Sequence, residues 1–228
     1  SQYELFKKYD SFNKDQYEEL SNYCKSIEID FLSTPFDEES LDFLSPLVPF
    51  FKIASADITN KPFLRKVAKK NKPIVLSTGA SSISEIALAI EIINHSNNVE
   101  IALLHCILNY PTINTNANLR MIKSLLKIFP NNLIGYSDHT LPDLNMSSLI
   151  SAYLLGAVII EKHFTNDKTL PGNDHYHSMD LIDLKNLKKS LKNINELLGT
   201  SNIKKPIQTE ELSRKNARRS IVLKKDLK

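Results

Sequence analysis

A chain of 228 residues with 42% apolar and 24% charged side chains has enough apolar surface to bury a core, which excludes a disordered polymer. Its apolar runs, such as those at 101–104 and 157–160, fall far short of the ~18–20 residues of a membrane-spanning helix. The formal net charge is +3, from 29 basic and 26 acidic residues spread along the chain, so no basic face of the kind that binds nucleic acid stands out.

Residues 1–29 read as loop and helix, with Tyr17, Leu20, Tyr23, Cys24 and Ile27 on the apolar side. The start lacks the basic-plus-apolar pattern of a signal peptide. Six short segments then stand out at 30–33, 50–55, 73–77, 100–106, 133–136 and 157–162. Each is nearly all apolar rather than alternating, as parallel strands covered on both faces are. Helical stripes separate them. Ile83, Ile86, Ile90 and Ile93 form one, opened by the capping box Ser82-x-x-Glu85. Leu119, Ile122, Leu126 and Phe129 form another, and Leu184, Leu187, Leu191, Ile194 and Leu198 a longer one. The two cysteines, Cys24 and Cys106, have no metal-ligand spacing and read as reduced thiols of a cytoplasmic protein. The basic run Arg214–Arg219 reads as a solvated face, with an anion contact as the sharper alternative.

Alternating strand and helix fits a doubly wound sheet or a (βα)8 barrel of TIM type. Polar residues decide between them. They follow every strand: Ser33-Thr34, Ser55-Ala56-Asp57, Ser77-Thr78-Gly79, His105 to Tyr110, Ser137-Asp138-His139, and Lys162-His163 to Thr165. A barrel mouth needs such a ring, whereas a doubly wound sheet gathers these residues at its switch point. No GxGxxG or GxxxxGK[ST] occurs. We therefore expect an α/β chain of the (βα)8 type with about six of eight βα units present, two more preceding it. The expected domains are 1–205, a partial barrel, and 206–228, a linker and the start of a second domain.

His139 and His163 lie just past successive strands, where two imidazoles can hold a divalent metal and leave positions open for substrate oxygens. The competing reading is a hydrogen-bonded structural histidine. Lys52 interrupts an apolar strand, and a lysine directed into a barrel needs a counter-anion. Ser55, Ser77 and Ser137 supply hydroxyls, and Thr78-Gly79 precedes a helix N-terminus that favours an anion. A phosphate or carboxylate pocket follows, against the alternative of an ion pair with an acidic neighbour. Asn109-Tyr110-Pro111 and Asn173-Asp174-His175 suit sugar hydroxyls or simply turns. His95 and His105 read as structural.

The motifs Phe31-Leu-Ser-Thr-Pro-Phe-Asp37, Lys52-Ile-Ala-Ser55, Leu76-Ser-Thr-Gly79, Leu104-His-Cys106 with Tyr110-Pro111, Gly135-Tyr-Ser-Asp-His-Thr140, Glu161-Lys-His-Phe-Thr165 and Pro171-Gly-Asn-Asp174, in this order, resemble the N-acetylneuraminate (sialic acid) synthase family. That resemblance implies a (βα)8 barrel followed by a small antifreeze-like (SAF) domain, whose entry residues 218–227 resemble. It implies condensation of phosphoenolpyruvate with an N-acetyl hexosamine, N-acetylmannosamine or a modified analogue, to a nonulosonic acid plus phosphate. It assigns a divalent metal, typically manganese with magnesium as the alternative, to His139 and His163. Lys52, Ser55, Ser77 and Ser137 then bind phosphoenolpyruvate, and Asn109 joins them because Leu108 stands where the family has a polar contact. Tyr110 and Asp174 face the amino sugar, and Glu161 lies near the metal. Lys52, Glu161 and Asp174 are the catalytic candidates. The whole protein is expected to be a homodimer, and these 228 residues alone to be inactive. Two other readings stay open: a non-catalytic barrel remnant that binds or assembles, and an aldolase-type barrel with Lys52 or Lys162 as Schiff-base lysine.

Overall fold

The computed structural model describes residues 12–172, 174–221 and 224. Asn173, and residues 222, 223 and 225–227 of the expected second-domain entry, lie outside the described residues. The chain divides into two compact units, Ser1–Leu191 and Lys192–Lys228.

The first unit alternates helix and strand. Helices α1 (Lys14–Ser26) and α2 (Glu38–Leu44) precede strand β1 (Phe51–Ile53). Helix α3 (Lys61–Lys69), β2 (Ile74–Ser77), α4 (Ile83–Ser96), β3 (Ile101–His105), α5 (Met121–Ile128), β4 (Leu133–Asp138), α6 (Ser147–Leu154) and β5 (Ile159–Lys162) follow. Helix α7 (Leu181–Leu198) crosses into the second unit, which also holds α8 (Glu211–Ala217). There Arg214, Lys215, Arg218 and Arg219 are all exposed, a solvated basic face.

Local chemistry sets several helix ends. Ser82 accepts from the Glu85 amide while Glu85 accepts from Ser82, the capping box read from the sequence. Asn13 with Gln16 and Asp37 with Ser40 make the same reciprocal pair on α1 and α2. Helix α3 starts at Asn60, which accepts from the Phe63 amide, and buries Phe63, Leu64, Val67 and Ala68 on one stripe. Full burial of each large apolar side chain contributes ~1.5–3 kcal/mol.

The five strands are all parallel and lie in the order β1-β2-β3-β4-β5. A doubly wound sheet reverses its order at a switch point; this one never does. It is a curled half-barrel of parallel strands. Residues 30–33, expected as a first strand, form none, so the described sheet has five strands and not six. Apolar character brought Phe31 against the core, but an apolar run does not by itself make a ladder, and Pro35 next to it has no N–H to donate.

Side chains alternate between two faces along each strand. Phe51, Ile53, Ile74, Leu76, Ile101, Leu103, Ile134 and Tyr136 join the helices in the main core. Their neighbours Val75, Ala102 and Leu104 form a second cluster with Phe50 and Ile159 on the concave face. Gly135 belongs to that face: a Cβ there would sit 2.7 Å from the Ile159 carbonyl oxygen and collide with the Leu104 side chain. Only glycine lets β4 approach β5 so closely.

Candidate functional site

The alternation puts Lys52, Ser77, Ser137 and Glu161 on the concave face, near the C-terminal ends of their strands. Lys52 on β1 and Glu161 on β5 belong to the two outermost strands of the sheet, yet Lys52 Nζ lies 3.4 Å from Glu161 Oε2. Only a strongly curled sheet brings its two margins together this way. Ser137, in register with Glu161 on the neighbouring strand, donates to Glu161 Oε1 at 2.6 Å. The acidic partner foreseen as the alternative for Lys52 is therefore Glu161, and both residues border one cavity. That cavity, about 1050 Å³, also takes in Leu32, Ser33, Thr34, Phe50, Leu104 and Ile159.

Ser55 and Ser77 are buried. Ser55 Oγ accepts from the Gly79 amide at 2.9 Å and lies 3.3 Å from Cys106 Sγ. A Cβ on Gly79 would come within 2.9 Å of both atoms, so the glycine lets the Thr78-Gly79 turn close on β1 and β3. Asn109 is exposed. Its carbonyl accepts from Thr112 Oγ1 at 2.8 Å, and none of the hydrogen bonds described joins its side chain to Lys52 or the serines.

The histidines collect beyond the strand ends. The rings of His139 and His163 lie 5.4 Å apart. Tyr110 stands beside them, 4.1 Å from the His139 ring and 6.0 Å from that of His163. His139 Nδ1 donates to the Ile107 carbonyl at 2.9 Å, which leaves Nε2 as its free nitrogen. Burial holds the His139 imidazole below its ordinary pKa, and the His163 charge adds to this. Burial raises the Tyr110 phenol, helped by its neighbours Cys106, Asp174 and Glu161. Asp174 Oδ2 is 3.7 Å from His163 Nδ1. The structure thus gathers Tyr110, His139, His163 and Asp174 at one place, and Lys52, Ser137 and Glu161 at another on the same sheet end.

Two features went unread in the sequence. One is His177, on the short 3-10 turn His175–His177. It is fully buried, and neither ring nitrogen has a hydrogen-bond partner. Its ring lies 5.1 Å from His163, and its Nε2 is 3.8 Å from Asp174 Oδ1. Burial, then the His163 charge, holds it below the ordinary imidazole pKa. The ligand atoms of His163, Asp174 and His177 all lie within 4.8 Å of one another.

The other is the pair Asp138–Lys162, one residue before each strand-end histidine and on the opposite, helix-side face. Both side chains have no exposure, and Nζ lies 2.8 Å from Asp138 Oδ2. Lys162 also donates to the Thr140 carbonyl at 2.8 Å. Asp138 accepts further from Tyr136 Oη, the Thr140 amide and hydroxyl, and Ser148. Burial alone would raise its carboxyl, but Lys162 and these hydrogen bonds outweigh burial and hold it below the usual carboxylate range. A lysine locked in this network is not a Schiff-base nucleophile, so Lys162 drops out of that role. His105 is structural, as expected: buried, stacked on Tyr136, and donating to the Ala117 carbonyl at 2.9 Å. Cys24 and Cys106 are both free thiols. Among the described residues no helix is long and apolar enough to cross a membrane.

A family model described as "NeuB family" matches residues 1–203. The N,N'-diacetyllegionaminic acid synthase of Legionella pneumophila is 41% identical over 232 aligned residues, covering 100% of this chain and 64% of that protein. The N-acetylneuraminate-9-phosphate synthase of Drosophila melanogaster is 42% identical over 188 residues, covering 82% and 50%. The chain thus spans between half and two thirds of the length of these relatives. Among solved structures, the N-acetylneuraminic acid (sialic acid) synthetase of Leptospira borgpetersenii serovar Hardjo-bovis, crystallised with citrate, superposes with a TM-score of 0.81 at 34% identity. The match covers 90% of this chain and 70% of that one.

Proposed function

We propose, for a chain that belongs to the NeuB family, that this sheet end condenses phosphoenolpyruvate with the open-chain aldehyde of an N-acetyl hexosamine. The product is a nonulosonic acid, with release of phosphate. The observation that carries the reading is the convergence of Lys52 and Ser137 on a single carboxylate inside the curled sheet. A cation and a hydroxyl that already hold one internal carboxylate are equipped to hold the carboxylate or phosphate of a small anion.

In this reading Lys52, Ser55, Ser77 and Ser137 bind phosphoenolpyruvate, with Asn109 at the rim. The three serines are buried, so each contact is made away from competing water. C3 of phosphoenolpyruvate bonds to the aldehyde carbon, water adds at C2, and the bond from C2 to the phosphate oxygen breaks. Glu161 is the carboxylate we assign to proton transfer, because the incoming anion competes with it for Lys52 and Ser137. Tyr110 and Asp174 face the amino sugar, N-acetylmannosamine or a modified analogue.

A divalent ion, manganese or magnesium, would be held by His139 and His163 and would polarise the sugar carbonyl as a Lewis acid. The residues fit it. His139 has one nitrogen fixed by the Ile107 carbonyl and the other free, the usual state of a ligating imidazole. We further infer that the half-barrel belongs to a complete (βα)8 barrel, and that the whole protein is a cytoplasmic homodimer.

The test is Lys52→Met in the whole protein. A charge-assisted bond of ~1.5–3 kcal/mol corresponds to about a ten- to a hundred-fold rise in KM for phosphoenolpyruvate, with the KM for the amino sugar unchanged. An equal rise for both substrates would make Lys52 a structural partner of Glu161 and no more.

A further inference from the structure

We propose that His177 is a protein ligand of the divalent ion, joining His163 and the Asp174 carboxylate. This rests on the metal reading above and extends it to a residue that reading does not use. Three observations carry it. The first is burial without satisfaction: the His177 ring has no exposure and both of its nitrogens lack a partner. Leaving a buried donor or acceptor unpaired costs its full desolvation penalty, so such a group needs an explanation.

The second is distance. Two donors that share an ion at about 2.1 Å each stand no more than ~4.2 Å apart. Asp174 Oδ2 is 3.7 Å from His163 Nδ1, and Asp174 Oδ1 is 3.8 Å from His177 Nε2. Both exceed a hydrogen bond's reach and fall inside that limit, and the third separation, His163 to His177, is within 4.8 Å. The groups are near one another without bonding to one another.

The third is chemistry. Two imidazoles and one carboxylate form a donor set that suits Mn²⁺ or Fe²⁺ and leaves positions open for other oxygens. His163 is common to this set and to the pair it makes with His139. Asp174 and His177 come from the loop after β5, three residues apart, so this loop would be drawn onto the ion and away from solvent. The ion would thus tie the 3-10 turn His175–His177 to the end of β5.

The experiment measures metal binding by the full chain, without turnover. Titrations of Mn²⁺ and Co²⁺ are followed by calorimetry, and the imidazoles around Co²⁺ are counted by X-ray absorption. The variants are His177→Gln and His177→Ala, with His139→Ala and His163→Ala alongside, and each is checked by circular dichroism. Losing an outer-shell partner alone costs about 10–100-fold in metal affinity, so His177→Gln should lose at least that much, and its imidazole count should fall by one. A folded His177→Gln variant with parental affinity and an unchanged count would overturn the proposal while leaving the metal reading intact. If the alanine variant fails to fold, the glutamine variant decides. If the His139 and His163 variants bind as the parent does, the metal reading itself fails, and the assignment of His177 with it.

Discussion

Replacing Asp138 with alanine would leave the buried Lys162 ammonium with one described acceptor, the Thr140 carbonyl at 2.8 Å. Replacing Lys162 with methionine is a different injury. Asp138 would keep Tyr136 Oη at 2.7 Å, the Thr140 amide at 3.0 Å, the Thr140 hydroxyl at 3.1 Å and Ser148 Oγ at 3.0 Å. Breaking a fully buried ion pair costs ~3–5 kcal/mol when the remaining charge is uncompensated. Asp138→Ala should therefore cost about 3–5 kcal/mol, and Lys162→Met only ~1–3 kcal/mol, the range for a lost bond to a group that stays solvated by other donors. The double replacement Asp138→Leu/Lys162→Met should fall well below the sum, because it strands no charge. At roughly 2–4 °C per kcal/mol for a domain of this size, Asp138→Ala would melt about 6–20 °C lower. Urea unfolding of the three variants gives the order directly. If Lys162→Met proved as damaging as Asp138→Ala, the four remaining donors would not be compensating Asp138, and the account of the network would be wrong. The same variants test position: the pair clamps β4 to β5 one residue before His139 and His163, so metal affinity should fall in step with stability.

Gly135→Ala should cost ~1–3 kcal/mol, as overpacking does, because the Ile159 carbonyl 2.7 Å from the added carbon is backbone and cannot swing away; a variant melting with the parent refutes this. Stability should also fall as the pH drops below 6.5. His105 is held below that value, burial first, so between its folded pKa and 6.5 the unfolded chain binds a proton that the folded one does not. His105→Gln should flatten the fall in urea midpoint between pH 7.5 and 5.5, in part only, since His139 and His177 shift the same way. An unchanged slope would show that His105 titrates alike in both states.

Five strands were legible because each carries a short, mostly apolar run, and continuous apolar runs of that length leave few alternatives. Residues 30–33, with only Phe31 and Leu32 apolar, form no ladder, since pairing depends on a neighbouring strand that composition does not report. The candidate site was legible where residue type and strand end coincide, at Ser137, His139 and His163, and at Lys52 as a lysine inside an apolar strand; Glu161 entered only through the family resemblance. What the sequence hid was which of two adjacent polar residues faces which way. In Ser137-Asp138-His139 and Glu161-Lys162-His163 the outer two share the concave side, and the middle residue faces the helices. Strict alternation, applied to the triplets instead of to single residues, would have separated the buried Asp138–Lys162 pair from the open site. His177 had no such signal. It lies on a loop, where neither period 2 nor period 3.6 applies, and a histidine two residues after another reads as one more turn polar group. Its distinction is energetic: a ring sealed from water with nothing to bond. That property belongs to packing around β5 and the following loop, and only the folded chain states it.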